Sequence, residues 1–227
     1  MTTELSDGPE RGGSLSRTLG ERGRQLILLL TPLALAASLW FHPAAGDDVY
    51  GNLGPVVDTW LAVHVLLLLL FGLLGVCLYV LLMDFRGVLP TVGRIGVAVY
   101  LVFYIAFESI AGVATGVLIR EAHRLPAEQR AGIETVVGVI YGDPVNGLAG
   151  LFALVGTVGY LVAVVAIAAV RRRNGAPVLP LLLLVGSSVG LAAHGSSPWD
   201  SISILLFAVA AGWLEVAETP TRAAVSG

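Results

Sequence analysis

Six ionisable side chains fall inside or beside long apolar runs, where a charge is costly and each such group is a functional candidate. Glu108 is the clearest, near the middle of the run 95–119. Tyr104 and Gly112 lie one helical turn to either side and Thr115 seven residues on, so Tyr104, Glu108, Gly112 and Thr115 form one stripe of a helix. A carboxyl group at that depth is expected to move a proton, meet a cation, or stand as a hydrogen-bonded strut between helices. His64 lies in the run 59–83, about one and a half turns from its start. An imidazole there suits proton exchange or ligation of a metal or haem iron, or a plain hydrogen bond to a neighbouring helix. His42 and His194, and Asp58 and Asp200 beside Trp60 and Trp199, fall at the ends of other runs. Imidazole with carboxylate suits zinc or a similar divalent ion. No HxxxH or HExxH spacing is present, so His64 and His194, the leading ligand candidates, would have to meet from separate helices. Asp58 and Asp200 have a simpler reading as helix N-caps, Asp200 above all because Ser201 and an apolar run follow it.

The elements that must position these residues are membrane helices. Of 227 residues 56% are hydrophobic and only 13% charged, and mean hydropathy is +0.85. A soluble domain carries about 25% charged residues. The apolar runs divide into six expected spans, at about 26–41, 59–83, 95–119, 148–170, 178–193 and 201–216. Uninterrupted leucine at 66–70 does not alternate as a membrane strand must, so the fold class is an all-α polytopic bundle. Residues 1–25 and 218–227 read as polar cytoplasmic tails, the first of them disordered. The run 26–41 also resembles a signal peptide, but the long polar stretch before it favours a retained helix.

Every one of the 13 basic residues is arginine, which excludes a Schiff-base lysine. Ten of them (Arg11, Arg17, Arg22, Arg24, Arg86, Arg94, Arg171, Arg172, Arg173 and Arg222) fall on one side of the six-span scheme. Arg120, Arg124 and Arg130 fall on the other. By the positive-inside rule both termini are cytoplasmic, and a bacterial plasma membrane is the expected location. Trp40, Trp60 and Trp199 then belong to an outer aromatic belt and Trp213 to the inner one. Arg171 to Arg173 read as a topology anchor, and His123 as a solvated interface residue.

Between spans three and four, Pro126 opens a segment 126–141 in which Ile133, Val136, Val137 and Ile140 recur at helical spacing. It reads as an amphipathic helix on the outer surface. Gly72 and Cys77 flanking Gly75, Gly112 with Gly116, and Gly186 with Gly190 permit close helix approach. The single cysteine, Cys77, lies in an apolar run and allows no intrachain disulfide. With 16 acidic residues against 13 basic, nucleic acid is excluded as a partner. The lipid bilayer is the partner the composition demands; a homo-oligomer or a membrane partner subunit stays open. No phosphate loop, GxSxG, CxxC or dinucleotide fingerprint is present.

Through Trp40-Phe41-His42-Pro43, Trp60 to His64, and Tyr104 through Glu108 to Thr115-Gly116, the chain resembles small uncharacterised six-span membrane proteins of GC-rich bacteria. The likeness covers most of the apolar region and implies no activity. The residues themselves point first to an outward-facing polar pocket that binds or passes a small molecule or cation. Its expected members are His64, Glu108, Tyr104, Thr115, His194, Asp200, Asp58 and His42, with Glu108 the buried acid and His64 the titratable gate. A membrane-embedded enzyme or haem or metal protein, and a structural or regulatory subunit, are the alternatives.

Overall fold

The computed structural model describes the backbone of residues 11–141, 147–192 and 194–225, and side chains between residues 20 and 216 of these. The expected tail at residues 1–10 lies outside the described residues, as do residues 142–146, 193 and 226–227. Among the described residues there is no strand. The described residues form the helices α1 (Arg11–Trp40), α2 (Val49–Leu53), α3 (Val57–Leu82), α4 (Val88–Phe107), α5 (Thr115–Ala122), α6 (Ala127–Tyr141), α7 (Leu148–Arg173), α8 (Val178–Gly186), α9 (Ser188–Ala192) and α10 (Trp199–Val225). A π-helical turn, Glu108–Ala114, joins α4 to α5 without a break.

Five helical stretches are long and apolar enough to cross a membrane: Gly20–Trp40, Val49–Leu82, Val88–Ala122, Leu148–Arg173 and Trp199–Val216. Val178–Ala192 is apolar but shorter, and at 1.5 Å per residue it falls short of the ~30 Å hydrocarbon layer. Leu66, Leu69, Val102, Leu182 and Val209 turn outward, each 45–65% exposed. An apolar surface on every long helix suits a membrane-embedded bundle and not a water-soluble one.

The long helices form a ring in chain order. Neighbours pack as α1 on α3, α3 on α4, α4 on α7, α7 on α8 and α8 on α10, and α10 closes the ring against α1. Glycine permits the closest of these approaches. A Cβ on Gly96 would lie 2.7 Å from the Gly159 carbonyl, and one on Gly159 2.9 Å from the Gly96 carbonyl, so α4 and α7 meet backbone to backbone. Neither glycine stands in the stripes read from spacing, and among those Gly72 has open space around it. The middle of the ring is filled by Phe71, Tyr100, Tyr104 and Tyr160, all fully buried, with rings packed 4.7–5.5 Å apart.

Several boundaries differ from those expected. Helix α1 begins at Arg11, inside the segment read as a disordered tail, and α10 runs to Val225 through most of the second tail. In both places the helix continues past the apolar run into polar sequence, despite Gly12 and Gly13 in the first and Pro220 in the second. Arg171 is no surface anchor. It is fully buried, donates to the Leu81 carbonyl (3.1 Å) and lies 5.0 Å over the Phe85 ring. At the same end Arg24 forms a fork on Glu215 (2.8 and 2.9 Å) and reaches Asp84 (2.9 Å), joining α1, α10 and the α3–α4 connection. Arg94 donates to the Leu82 and Phe85 carbonyls. Helix α6 covers the opposite end. Its inward stripe is Ile133, Val137 and Tyr141, whereas Val136 is half exposed.

Candidate functional site

At the end of the ring opposite the arginines, three imidazoles from distant parts of the chain face one another. His64 comes from the second turn of α3, His42 from the residue pair after α1, and His194 from the turn between α9 and α10. Their ring centroids stand 4.7 Å (His42–His64), 4.9 Å (His42–His194) and 6.3 Å (His64–His194) apart. One ligand nitrogen from each lies within 4.8 Å of the other two.

Each ring is held from behind. His64 Nδ1 lies 2.9 Å from the Trp60 carbonyl, which can only accept. Nδ1 therefore carries the proton, and Nε2 presents a lone pair toward His42 Nε2, 3.2 Å away. The indole of Trp60 stacks on His64 at 3.9 Å, and its Nε1 donates to the Gly112 carbonyl at 2.8 Å. Gly112 is required here, since a Cβ would overlap the His64 ring. His194 leans on Phe71 and Phe107. Its turn is braced by Asp200, whose carboxylate accepts from the Gly195 N–H (3.2 Å) and the Ser201 N–H (2.7 Å). Gly195 has φ +79°, a conformation that favours glycine.

Glu108 lies beneath the imidazoles. It is fully buried, with Oε1 3.3 Å from His194 Nε2 and Oε2 3.9 Å from His64 Nε2. Among the described residues neither carboxylate oxygen has a hydrogen-bond partner, and neither has His194 Nε2. Buried polar atoms are rarely left this way, and here three of them converge on one spot. The π-helical turn begins at Glu108 and re-aims it. Over this turn the helix widens, and the carbonyls of Ala111 and Gly112 accept from Tyr141 Oη (2.6 Å) and Trp60 Nε1. Such turns concentrate at functional positions.

Burial pushes His42 down to about 4. It also holds His194 well below the usual histidine range, with His42 and His64 adding to the effect. Both are neutral at physiological pH and so offer nitrogen lone pairs. Above the cluster is a cavity of about 370 Å³, lined by His42, His64, His194, Trp60, Phe107 and Tyr141 among others. A second cavity of about 460 Å³ adjoins it, sharing Gly46 and Tyr141, and carries Asp47, Asp48 and Glu134 on its walls.

Of the expected members, the fold brings His42, His64, Glu108 and His194 together. Tyr104 forms part of the aromatic wall, its ring 6.1 Å from that of His194. Asp200 is buried and acts on the His194 turn; it occupies the first turn of α10 and not the N-cap. Two expected members are absent from the cluster. Asp58 is exposed in the first turn of α3, because its side chain points away from the face that carries His64. Thr115 is buried, with its hydroxyl on the Ile110 carbonyl (3.1 Å) inside the widened turn. Trp60, expected in the interfacial belt, is 2% exposed and is part of the site; Trp40, Trp199 and Trp213 are exposed as expected. The signal for Trp60 was its place four residues before His64 on one helix face. Nothing in the sequence signalled Tyr141 or the π-helical turn.

Compared with protein-family models, curated proteins and solved structures, the chain matches none. Fold and site together define a membrane-embedded helical bundle with a buried cluster of three histidines over a carboxyl group.

Proposed function

We propose that the protein is a six-span plasma-membrane protein, N-in and C-in, that binds a small cation in a pocket open to the outer side. The short helix Val178–Ala192 serves as the fifth span, a reading supported by Arg171 before it standing beside Glu215 at one end of the bundle and His194 after it beside His42 at the other. The observation that carries the binding reading is Glu108: a fully buried carboxyl group without a hydrogen bond, faced by lone-pair nitrogens. A cation between them would satisfy both Glu108 oxygens and His194 Nε2 at once. The acidic walls of the adjoining cavity, Asp47, Asp48 and Glu134, suit the approach of a positive ion.

Binding is favoured over permeation. Beneath Glu108 the axis of the ring is filled by Tyr104, Tyr100, Phe71 and Tyr160, all fully buried. Haem is disfavoured, since imidazole rings packed edge to face at 4.7 and 4.9 Å leave no slot for a macrocycle.

Two measurements test this. Reporter tags at both termini and in the 127–141 segment should report the termini on one side and the segment on the other. Thermal unfolding of the detergent-purified protein should be raised by at least one member of a panel of mono- and divalent cations. Glu108→Gln should abolish that rise. A chain that no cation stabilises, or whose stabilisation survives Glu108→Gln, refutes the reading.

A further inference from the structure

Resting on the cation-binding reading, we infer that the ion is a divalent transition metal of the zinc class, held by Nε2 of His42, His64 and His194 with the Glu108 carboxylate as the anionic fourth donor. The donor chemistry carries the choice. Imidazole nitrogen suits zinc, copper, nickel and iron, whereas sodium, potassium, magnesium and calcium take oxygen. Three nitrogens and one carboxylate are a transition-metal set.

The geometry agrees. Zinc–nitrogen bonds of about 2.0–2.1 Å in a tetrahedron place ligand nitrogens about 3.4 Å apart. His42 Nε2 and His64 Nε2 already stand 3.2 Å apart. The pairs that involve His194 lie within 4.8 Å, and His194 stands on a turn instead of a helix, so closing the last ångström needs only a small movement of one ring. The Glu108 oxygens, at 3.3 and 3.9 Å from His194 and His64, lie at ligand-to-ligand distance.

The support behind the ligands is also that of a metal site. Ligating histidines usually donate their second N–H to a carbonyl or carboxylate, which fixes the tautomer. His64 does so through Nδ1 to the Trp60 carbonyl. Asp200 holds the His194 turn through the Gly195 N–H without touching the ring nitrogens. Two nitrogen atoms face each other, and among the described residues two carboxylate oxygens have no hydrogen-bond partner. A dication joins them all, and with one carboxylate the site carries a net charge of only +1.

The test uses full-length protein in detergent, stripped with a strong chelator and reloaded with zinc or cobalt(II). Elemental analysis should give one metal per chain. The cobalt form should show visible ligand-field bands of tetrahedral intensity. His64→Gln and His194→Gln should each weaken binding by more than the ~10–100-fold typical of an outer partner, whereas His123→Gln, an exposed histidine, should leave it unchanged. Size-exclusion profiles of the variants separate loss of ligand from loss of fold, and the conservative Glu108→Asp keeps the carboxylate if Glu108→Gln aggregates. If calcium or a monovalent cation stabilises the protein through Glu108 while zinc and cobalt do not bind, the metal inference falls and the pocket reading stands. If no cation binds, both fall. Stoichiometric metal that survives the double histidine variant overturns the assignment of the ligands.

Discussion

His42 shows how much a side chain's surroundings decide. It follows the last turn of α1, where the chain leaves its apolar run and a side chain could turn to water. Instead its ring is buried against Trp60, His64 and His194, with Glu108 beyond them and the acidic Asp47 and Asp48 outside in the same connection. Burial favours the neutral form and pushes it down from 6.5 to about 4. Between those values the unfolded chain binds a proton that the folded chain refuses, so stability falls as pH drops through that window. In metal-free protein the thermal midpoint should decline from pH 7 to pH 5, and His42→Asn should flatten that decline. An unchanged slope would mean that His42 titrates freely. The sequence alone put His42, His64 and His194 near the outer ends of their spans, with Glu108 deeper. It could not tell which of them point inward: Asp58 shares the outer level and faces away, and Trp60, read as an interfacial anchor, turns in to support His64.

At the scale of elements, the apolar runs announced the helices well because lipid leaves backbone groups no other partner. Ends were less legible, since a helix that leaves the membrane continues until something stops it. The π-helical turn at Glu108–Ala114 was invisible for a different reason: its extra residue is held by tertiary partners, Trp60 and Tyr141, that a periodicity cannot reveal. The arginine end offers the same lesson. Arg171 and Glu215 carry the sequence marks of a membrane boundary, yet both are buried, Glu215 under the Arg24 fork. Removing an acid from such a network weakens the compensation of buried guanidinium groups, which is costly away from water. Glu215→Gln should therefore lower the unfolding midpoint clearly in detergent without changing cation affinity at the far end. Equal losses in both would tie the two ends together.

Over the whole molecule, the ring order places α1 beside α10, and this brings His42 and His194 to the same spot. A linear reading could give depth but not azimuth, so the convergence of three chain segments was the part of the site that only the fold could supply. The same ring encloses a column of aromatic side chains beneath the histidines. Phe71, Tyr100, Tyr104 and Tyr160 are interlocked and fully buried. On the proposed cation-binding reading, an ion resting on Glu108 would depart by the mouth through which it arrived, and exchange would be one-sided. With the protein oriented in sealed vesicles, an impermeant chelator should empty the centre when added on the histidine side and leave it filled when trapped in the opposite compartment. The molecule would then behave as a receptacle that samples one compartment's ions and stays blind to the other's.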